Sequence, residues 1–410
     1  MMKANPVPFN ERNIVIDILR GFALLGILLM NLPQFFYPSW MYGVYSIPSE
    51  YTGTDRVGEL LIRMFVEGKF FTIFSFLFGL GFFIFMKRAE SKALNIKRLY
   101  LRRIAALALF GVAHFFLVWT GDILHLYAIT GLFLLFFHKR KSKTILIWIV
   151  CLVAVWFGLF GLAFITTPEQ AQNSIHEGLQ LLPVVDQIFD NLTYAKWIDY
   201  QLNMVAPAVA PFEPIFMPAI LAMFLIGVFS GQKDWFANLP DKKRSIRKMW
   251  FISLAVNLPL LSALAVLLTK QVNFGFRHET VTTVLVQFSG ITLSIFYILS
   301  FLLLMTNSQW ITRLRPIGYV GQMALTNYLS QTIICVALAA LFHLYRIGTI
   351  PAILMSISIY ACQIVFSTLW MRNFRYGPME WVWRSFTYLS LQPMRLKKPV
   401  PRSNNHMPLR

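Results

Sequence analysis

The stretch Ile14-Val-Ile-Asp17-Ile-Leu-Arg20-Gly-Phe-Ala-Leu-Leu-Gly-Ile-Leu-Leu-Met-Asn31-Leu32 decides the architecture. Only Asp17, Arg20 and Asn31 are polar in it. Its length matches the roughly 20 residues that carry a helix across a bilayer core. A helix satisfies its own backbone groups, so it is the natural way for such a run to lie in hydrocarbon. The preceding residues are polar and no small-residue cleavage site follows, so the run is read as a retained first span and not as a cleaved leader.

Nine further apolar runs follow, at about 69–86, 101–119, 123–137, 144–166, 213–231, 249–269, 281–305, 319–342 and 349–370. Of the 410 residues, 57% are hydrophobic and 13% are charged. A soluble domain carries about 25% charged residues, so a water-soluble enzyme is excluded. The expected fold is all-α, a polytopic membrane protein with about 10 transmembrane helices.

Charge gives the orientation. With the N-terminus in the cytoplasm, the inner segments hold 29 Lys and Arg and the outer ones hold 7. The positive-inside rule then sets both termini inside. The same clustering explains the net charge of +19 without nucleic acid. The expected partners are membrane lipids and a glycan or small-molecule substrate. Two regions are expected. Residues 1–231 form an N-terminal bundle of six spans, and residues 232–390 add four spans and an interfacial helix rich in aromatics around Trp381, Trp383, Phe386 and Tyr388. Residues 391–410 read as a basic disordered tail. Of the outer segments, 167–212 is the longest and is acidic, with Glu169, Glu177, Asp186, Asp190 and Asp199 against Lys196. Leu179, Leu182, Val185 and Ile188 predict a short amphipathic helix there, able to cover an outward-facing cavity. Cys151, Cys335 and Cys362 form no CxxC pair and read as small core residues. Gly79 and Gly81 read as close-packing positions between helices.

Burying an ionisable group in hydrocarbon is costly, so such residues within spans are the candidates for function. Asp17 and Arg20 share a face one turn inside the cytoplasmic surface. They are either an internal pair or an anion grip, with Arg20 presenting a fixed fork of donors and Asp17 holding it. Asn31 lies at the far end of the same helix. Asp122 and His125 stand three apart at the outer end of the third and fourth spans. A carboxylate beside an imidazole is the arrangement of a general base, and the plain alternative is a helix cap. No second ligand pair accompanies them, so no metal is expected. His114 reads as packing. In the ninth span, Gln322, Asn327 and Gln331, with Thr326 and Ser330, line one broad face. They serve either as glue between helices or as the wall of a substrate cavity, with Gln287 and Gln363 facing them.

Four pieces resemble the YeiB family of bacterial inner-membrane proteins: Ile16-Asp17-Ile18-Leu19-Arg20-Gly21-Phe22-Ala23, Gly121-Asp122-Ile123-Leu124-His125, Gly321-Gln322-Met323-Ala324-Leu325-Thr326-Asn327-Tyr328 and Tyr376-Gly377-Pro378-Met379-Glu380-Trp381. The last two resemble the C-terminal domain of unknown function that accompanies that family. More distantly, the chain is similar to the transmembrane acyltransferases, in which an Asp-x-x-Arg-Gly opening like Asp17 to Gly21 recurs. That resemblance implies a donor such as acetyl-CoA on the Arg20 side and an envelope glycan acceptor on the His125 side, in a bacterial cytoplasmic membrane. A proton-coupled transporter or exporter of a small polar or acylated solute is the rival expectation, with Asp17 and Asp122 as proton carriers.

Overall fold

The computed structural model describes residues 13–91 and 95–396. Its regular elements are all helical, with no strand among the described residues. The chain is thus an all-α polytopic membrane protein, as its composition demands. Helix α1, Ile14–Asn31, starts where Asn13 accepts a hydrogen bond from the Val15 backbone N–H at 3.0 Å. An interfacial helix α2, Gly53–Phe65, precedes α3, Phe70–Ser91, and α4 covers Ile96–Leu117. Next come α5, Leu124–Phe133, and α6, Ser142–Gly161. The outer segment folds into α7, Pro168–Asp190, and α8, Tyr194–Tyr200, before α9, Met217–Gln232. The remaining spans are α10, Leu239–Leu268, α11, His278–Leu304, the broken pair α12, Arg315–Gln322, and α13, Ala324–Phe342, then α14, Thr349–Met371. Helix α15, Pro378–Tyr388, closes the fold.

Among the described residues, 9 helices are long and apolar enough to cross a membrane. The tenth expected span, Leu124–Phe137, is shorter. Its shortness has a structural reason. An added Cβ on Gly111 would strike the backbone of His125, so α5 begins beside the middle of α4 and not at its end. That starting level lies six residues, or about 9 Å, below the end of α4. From there α5 runs back along α4, and Tyr100 Oη donates to the Gly131 carbonyl at 2.8 Å. At its far end His138 meets Glu90 at 2.9 Å, at the end of α3. The outer turn of this hairpin, 118–123, thus dips into the bundle and carries the buried Thr120 and Asp122 with it.

Packing follows the small residues. Gly79 on α3 and Gly227 on α9 face each other's helix backbone, so neither position tolerates a side chain. Gly81 has nothing near it and serves no such contact, contrary to its reading as a packing position. Cys335 is buried, but Cys151 and Cys362 lie on exposed faces, which corrects their placement in the core. An apolar run buries its side chains against protein or against lipid, and composition alone does not separate the two.

The outer segment is more structured than its sequence predicts. Helix α7 spans 23 residues and opens with a capping box between Thr167 and Gln170. Its buried side is set by Leu182, Val185 and Phe189, while Leu179 is exposed. Arg346, between α13 and α14, holds both Asp186 oxygens at 3.1 Å and Glu50 at 3.0 Å. Against the cost of burial, the Asp186 carboxylate, with Tyr345, holds the Arg346 guanidinium above its usual range. At the other end of the chain, residues 391–396 lie along 373–375, with Arg375 N–H on the Met394 carbonyl at 2.9 Å. The rest of the expected disordered tail lies outside the described residues.

Candidate functional site

The dipped turn brings Asp122 into the bundle with a side chain that is 0% exposed. One of its oxygens, Oδ2, accepts the Leu124 backbone N–H at 3.0 Å and so starts α5. The other, Oδ1, accepts the Tyr328 hydroxyl of α13 at 2.8 Å. His114 on α4 sets its Nδ1 3.2 Å from the same Oδ1. Asp122 thus caps α5 through Oδ2, while Oδ1 ties the dipped turn to α4 and α13.

His125 has two carboxylate neighbours. Its Nε2 is 2.8 Å from Glu213 Oε2, a hydrogen bond. Its Nδ1 is 3.8 Å from Asp122 Oδ2, an ionic distance and not a hydrogen bond. Toward an ionised Glu213, Nε2 carries the hydrogen and donates it, and in the neutral form of the ring the lone pair is then on Nδ1. The orienting partner of the imidazole is thus Glu213, whereas the sequence points to Asp122. The His125 side chain is 16% exposed, but its Nδ1 faces inward toward Asp122. His114 Nε2 and His125 Nδ1 are buried atoms with no hydrogen-bond partner in the structure. Each such atom carries a desolvation cost of about 1–3 kcal/mol, and native proteins keep few of them without a use.

The cover over this cluster is built from the outer segment. Trp197 Nε1 donates to the Val118 carbonyl and Tyr194 Oη to the Leu117 carbonyl, both at 2.6 Å. Gln201 Oε1 accepts the Thr120 hydroxyl at 2.7 Å and its backbone N–H at 3.2 Å. Gln201 opens a π-helical turn, Gln201–Val205. The chain then passes through a tight Pro-containing turn, Ala210–Phe216, which delivers Glu213 to His125. The acidic outer segment is therefore part of the site and not only a lid beside it.

Asp17 and Arg20 form a second cluster. Arg20 Nη1 donates to Asp17 Oδ1 at 2.9 Å and lies 3.4 Å from the Gly321 carbonyl. Gly321 is in the last turn of α12, where unpaired carbonyls make the negative end of the helix dipole. On the other side of the break, Glu380 of α15 caps α13. Its Oε1 accepts the Leu325 and Thr326 backbone N–H groups at 2.6 and 3.1 Å, and its Oε2 the Thr326 hydroxyl at 2.6 Å. Burial holds the Glu380 carboxyl above the usual carboxylate range, against those donors. A cation thus meets the carbonyl end of the break and an anion the amide end.

The two clusters do not coincide. Arg20 meets Gly321 in the last turn of α12, whereas Asp122 meets Tyr328 in α13, on the other side of the break at Met323. The polar stripe of α13 bonds mainly across to α14, whose Gln363 faces it. Asn327 Nδ2 reaches the Val320 carbonyl at 3.1 Å and Ser367 at 3.0 Å, and Gln331 Nε2 reaches Gln363 at 2.9 Å. Gln322 is half-buried at the break. Asn31 stands at the outer end of α1, fourteen residues beyond Asp17. Gln287 packs near Gly68 and not toward α13. No group of three or more metal-ligating side chains forms a candidate metal centre among the described residues.

A polytopic helical membrane protein whose outer half encloses a carboxylate–imidazole–phenol cluster is the class that this fold and site define. The chain belongs to the YeiB-like family. It is 34% identical to "Uncharacterized protein YxaH" of Bacillus subtilis (strain 168), over 98% of this chain and 100% of that one. It is 27% identical to "Uncharacterized protein YeiB" of Escherichia coli (strain K12), over 93% and 98% of the two chains. Similarity extends to the "Uncharacterized 39.9 kDa protein in amylase 3'region" of Bacillus acidopullulyticus, 31% identical over 96% and 99%. Residues 230–390 match a family model described as "Protein of unknown function (DUF418)". No solved structure matches the chain.

Proposed function

We propose that this protein is an acyltransferase of the bacterial cytoplasmic membrane, moving an acyl group from a cytoplasmic acyl-CoA such as acetyl-CoA to an envelope glycan or similar outer acceptor. The observation that carries the reading is His125, oriented through Nε2 by Glu213 at 2.8 Å with its Nδ1 left without a hydrogen bond. In the proposed step the His125 ring, whose Nδ1 is buried at rest, turns that nitrogen to the acceptor hydroxyl and takes its proton as the oxygen attacks the thioester carbonyl. The carbon–sulfur bond then breaks, and the leaving thiolate takes the proton back as a thiol. Asp122 and Tyr328 set the field in which the ring changes charge. Arg20, 27% exposed and held by Asp17, offers the donor's anionic part a guanidinium toward the cytoplasm. The distant resemblance to transmembrane acyltransferases at Asp17 to Gly21 agrees with that role.

The test uses the full chain in sealed membrane vesicles, with radiolabelled acetyl-CoA on the cytoplasmic side and total envelope glycan outside. Labelled glycan forms with the wild type. It falls by roughly a hundredfold or more in His125→Ala, the scale of a lost general base, and also in Glu213→Gln and Arg20→Ala at equal expression. A wild type that transfers no label rules the proposal out.

A second reading is favoured by the helix break. Discontinuous helices with charged groups at their ends are a recurring feature of transporters, and Met323 separates α12 from α13 between Arg20 and Glu380. Under this reading a pH gradient across proteoliposomes drives movement of a small polar or acylated solute and no acyl product forms.

A further inference from the structure

Helix α4 begins with an electrostatic mismatch. Lys97, Arg98, Arg102 and Arg103 crowd its first two turns, and its first turn contains no acidic residue. The start of a helix is the positive end of its dipole, so cations there are disfavoured and an anion is favoured. Some other arginines have acidic partners, among them Arg56 with Glu59, Arg63 with Glu279 and Arg346 with Asp186 and Glu50. Lys97, Arg98 and Arg102 have no acidic partner within 4.0 Å among the described residues.

These three cations border a groove of about 540 Å³ between α4 and α15. Its remaining wall is Asn95, at the start of α4, and the apolar Leu101, Ala105 and Phe386. The order along α4 is informative. Arg98 and Arg102 stand one turn apart on one face, and Leu101 and Ala105 continue that side of the helix deeper toward the membrane. Phe386, 43% exposed, faces them from α15. The groove walls are fixed to each other, because Trp383 Nε1 donates to the Arg103 carbonyl at 2.9 Å and the Arg103 guanidinium lies 4.1 Å from the Trp383 ring centre. The positive-inside count places this end of α4 at the cytoplasmic leaflet. A cationic rim at headgroup depth above an apolar floor complements a molecule with a phosphate above an acyl chain.

We propose that this groove binds one anionic glycerophospholipid of the cytoplasmic leaflet. Its phosphate lies between Arg98 and Arg102 near Lys97, and one acyl chain lies along Leu101, Ala105 and Phe386. The site is separate from the His125 cluster, and the proposal stands whether or not the protein transfers acyl groups.

The test is native mass spectrometry of the detergent-purified, delipidated full chain with dioleoylphosphatidylglycerol or dioleoylphosphatidylcholine. The anionic lipid is expected to bind about tenfold more tightly than the zwitterionic one. The Arg98→Gln/Arg102→Gln double variant is expected to lose that preference. Lys139→Gln/Lys141→Gln, which removes the same charge from another inner loop, is expected to keep it. Equal binding of the two lipids by the wild type overturns the proposal. So does equal loss in the two double variants, which would mean net charge alone. Displacement of the anionic lipid by millimolar inorganic phosphate also overturns it, in favour of a soluble anion. Thermal unfolding checks the same claim independently: a lipid bound only to the folded state raises Tm, and phosphatidylglycerol is expected to do so for the wild type but not for the Arg98/Arg102 variant.

Discussion

Glu380→Ala tests whether α15 holds the broken span together. Glu380 is 8% exposed, and its carboxylate accepts the two backbone N–H groups that begin α13, Leu325 and Thr326. Those groups have no partner within their own helix. A hydrogen bond to a charged acceptor contributes about 1.5–3 kcal/mol. Losing it should raise local opening at the start of α13 by roughly 10- to 150-fold, since about 1.4 kcal/mol is tenfold. Glu380→Gln keeps an oxygen that can accept both N–H groups and removes the burial cost of a charge, so its effect should be only a few-fold. The assay is deuterium exchange by mass spectrometry on the full chain, read in the peptide containing Met323 to Tyr328 and compared with peptides from α7. Exchange that stays at the wild-type rate in that peptide in Glu380→Ala refutes the reasoning. A rise of equal size in α7 refutes it too, because it would mark global unfolding.

Tyr328→Phe removes the donor 2.8 Å from Asp122 Oδ1 and should couple with Asp122→Asn by more than about 1 kcal/mol in a double-mutant cycle of stability; additive effects would break the proposed link between α13 and the dipped turn. Gly111→Ala should cost about 1–3 kcal/mol by overpacking, because its Cβ would sit 2.9 Å from His125 Cα. Gly81→Ala, with nothing within 4 Å, should unfold at the wild-type temperature or slightly above it, and similar Tm losses in the two would contradict the geometry. Arg346→Ala frees α7 from a half-exposed pair of carboxylate contacts whose value is limited by solvent screening to about 1 kcal/mol. Proteolysis within α7 should then quicken about fivefold, and an unchanged rate would show that the cover is held by its apolar side alone.

The span pattern was legible because apolar length is a direct physical requirement of the bilayer, so the runs from Ile14 to Met371 map onto helices with modest shifts of boundary. Partners across the fold were not legible. Asp122 and His125 are close in sequence, and their joint placement could be read from spacing. Glu213 lies 88 residues from His125 and reaches it through a Pro-containing turn, and no periodicity reports such a contact. Its one local signal is an acid set between Pro211 and Pro214 at the mouth of an apolar run. Tyr328 stands inside the polar stripe of the ninth span, but an aromatic there reads as packing until its hydroxyl is seen on Asp122. His114 reads as packing for the same reason, since only the dipped turn brings Asp122 down to it. Glu380 belongs to a quoted sequence piece, yet its role needs the break at Met323, and a break between two helical turns without proline at the junction leaves little trace in sequence.

The two charged clusters differ in what their charges are for, and the difference ranks them as sites. A break inside a span exposes carbonyls on one side and amides on the other, and hydrocarbon offers neither a partner. Arg20, 3.4 Å from the Gly321 carbonyl, and Glu380, on the Leu325 and Thr326 amides, answer that need, while Asp17 balances Arg20. These charges have a structural use even if nothing binds there. The outer cluster has no such closed account. Asp122 spends both oxygens on the fold, and Glu213 orients His125, yet His114 Nε2 and His125 Nδ1 remain buried without a hydrogen bond. Neither ring nitrogen is needed to start a helix or bridge two spans. Retaining two imidazoles beside two carboxylates at such a cost makes sense if protons or a polar ligand pass there, so the His125 end of the protein is where chemistry should be sought first.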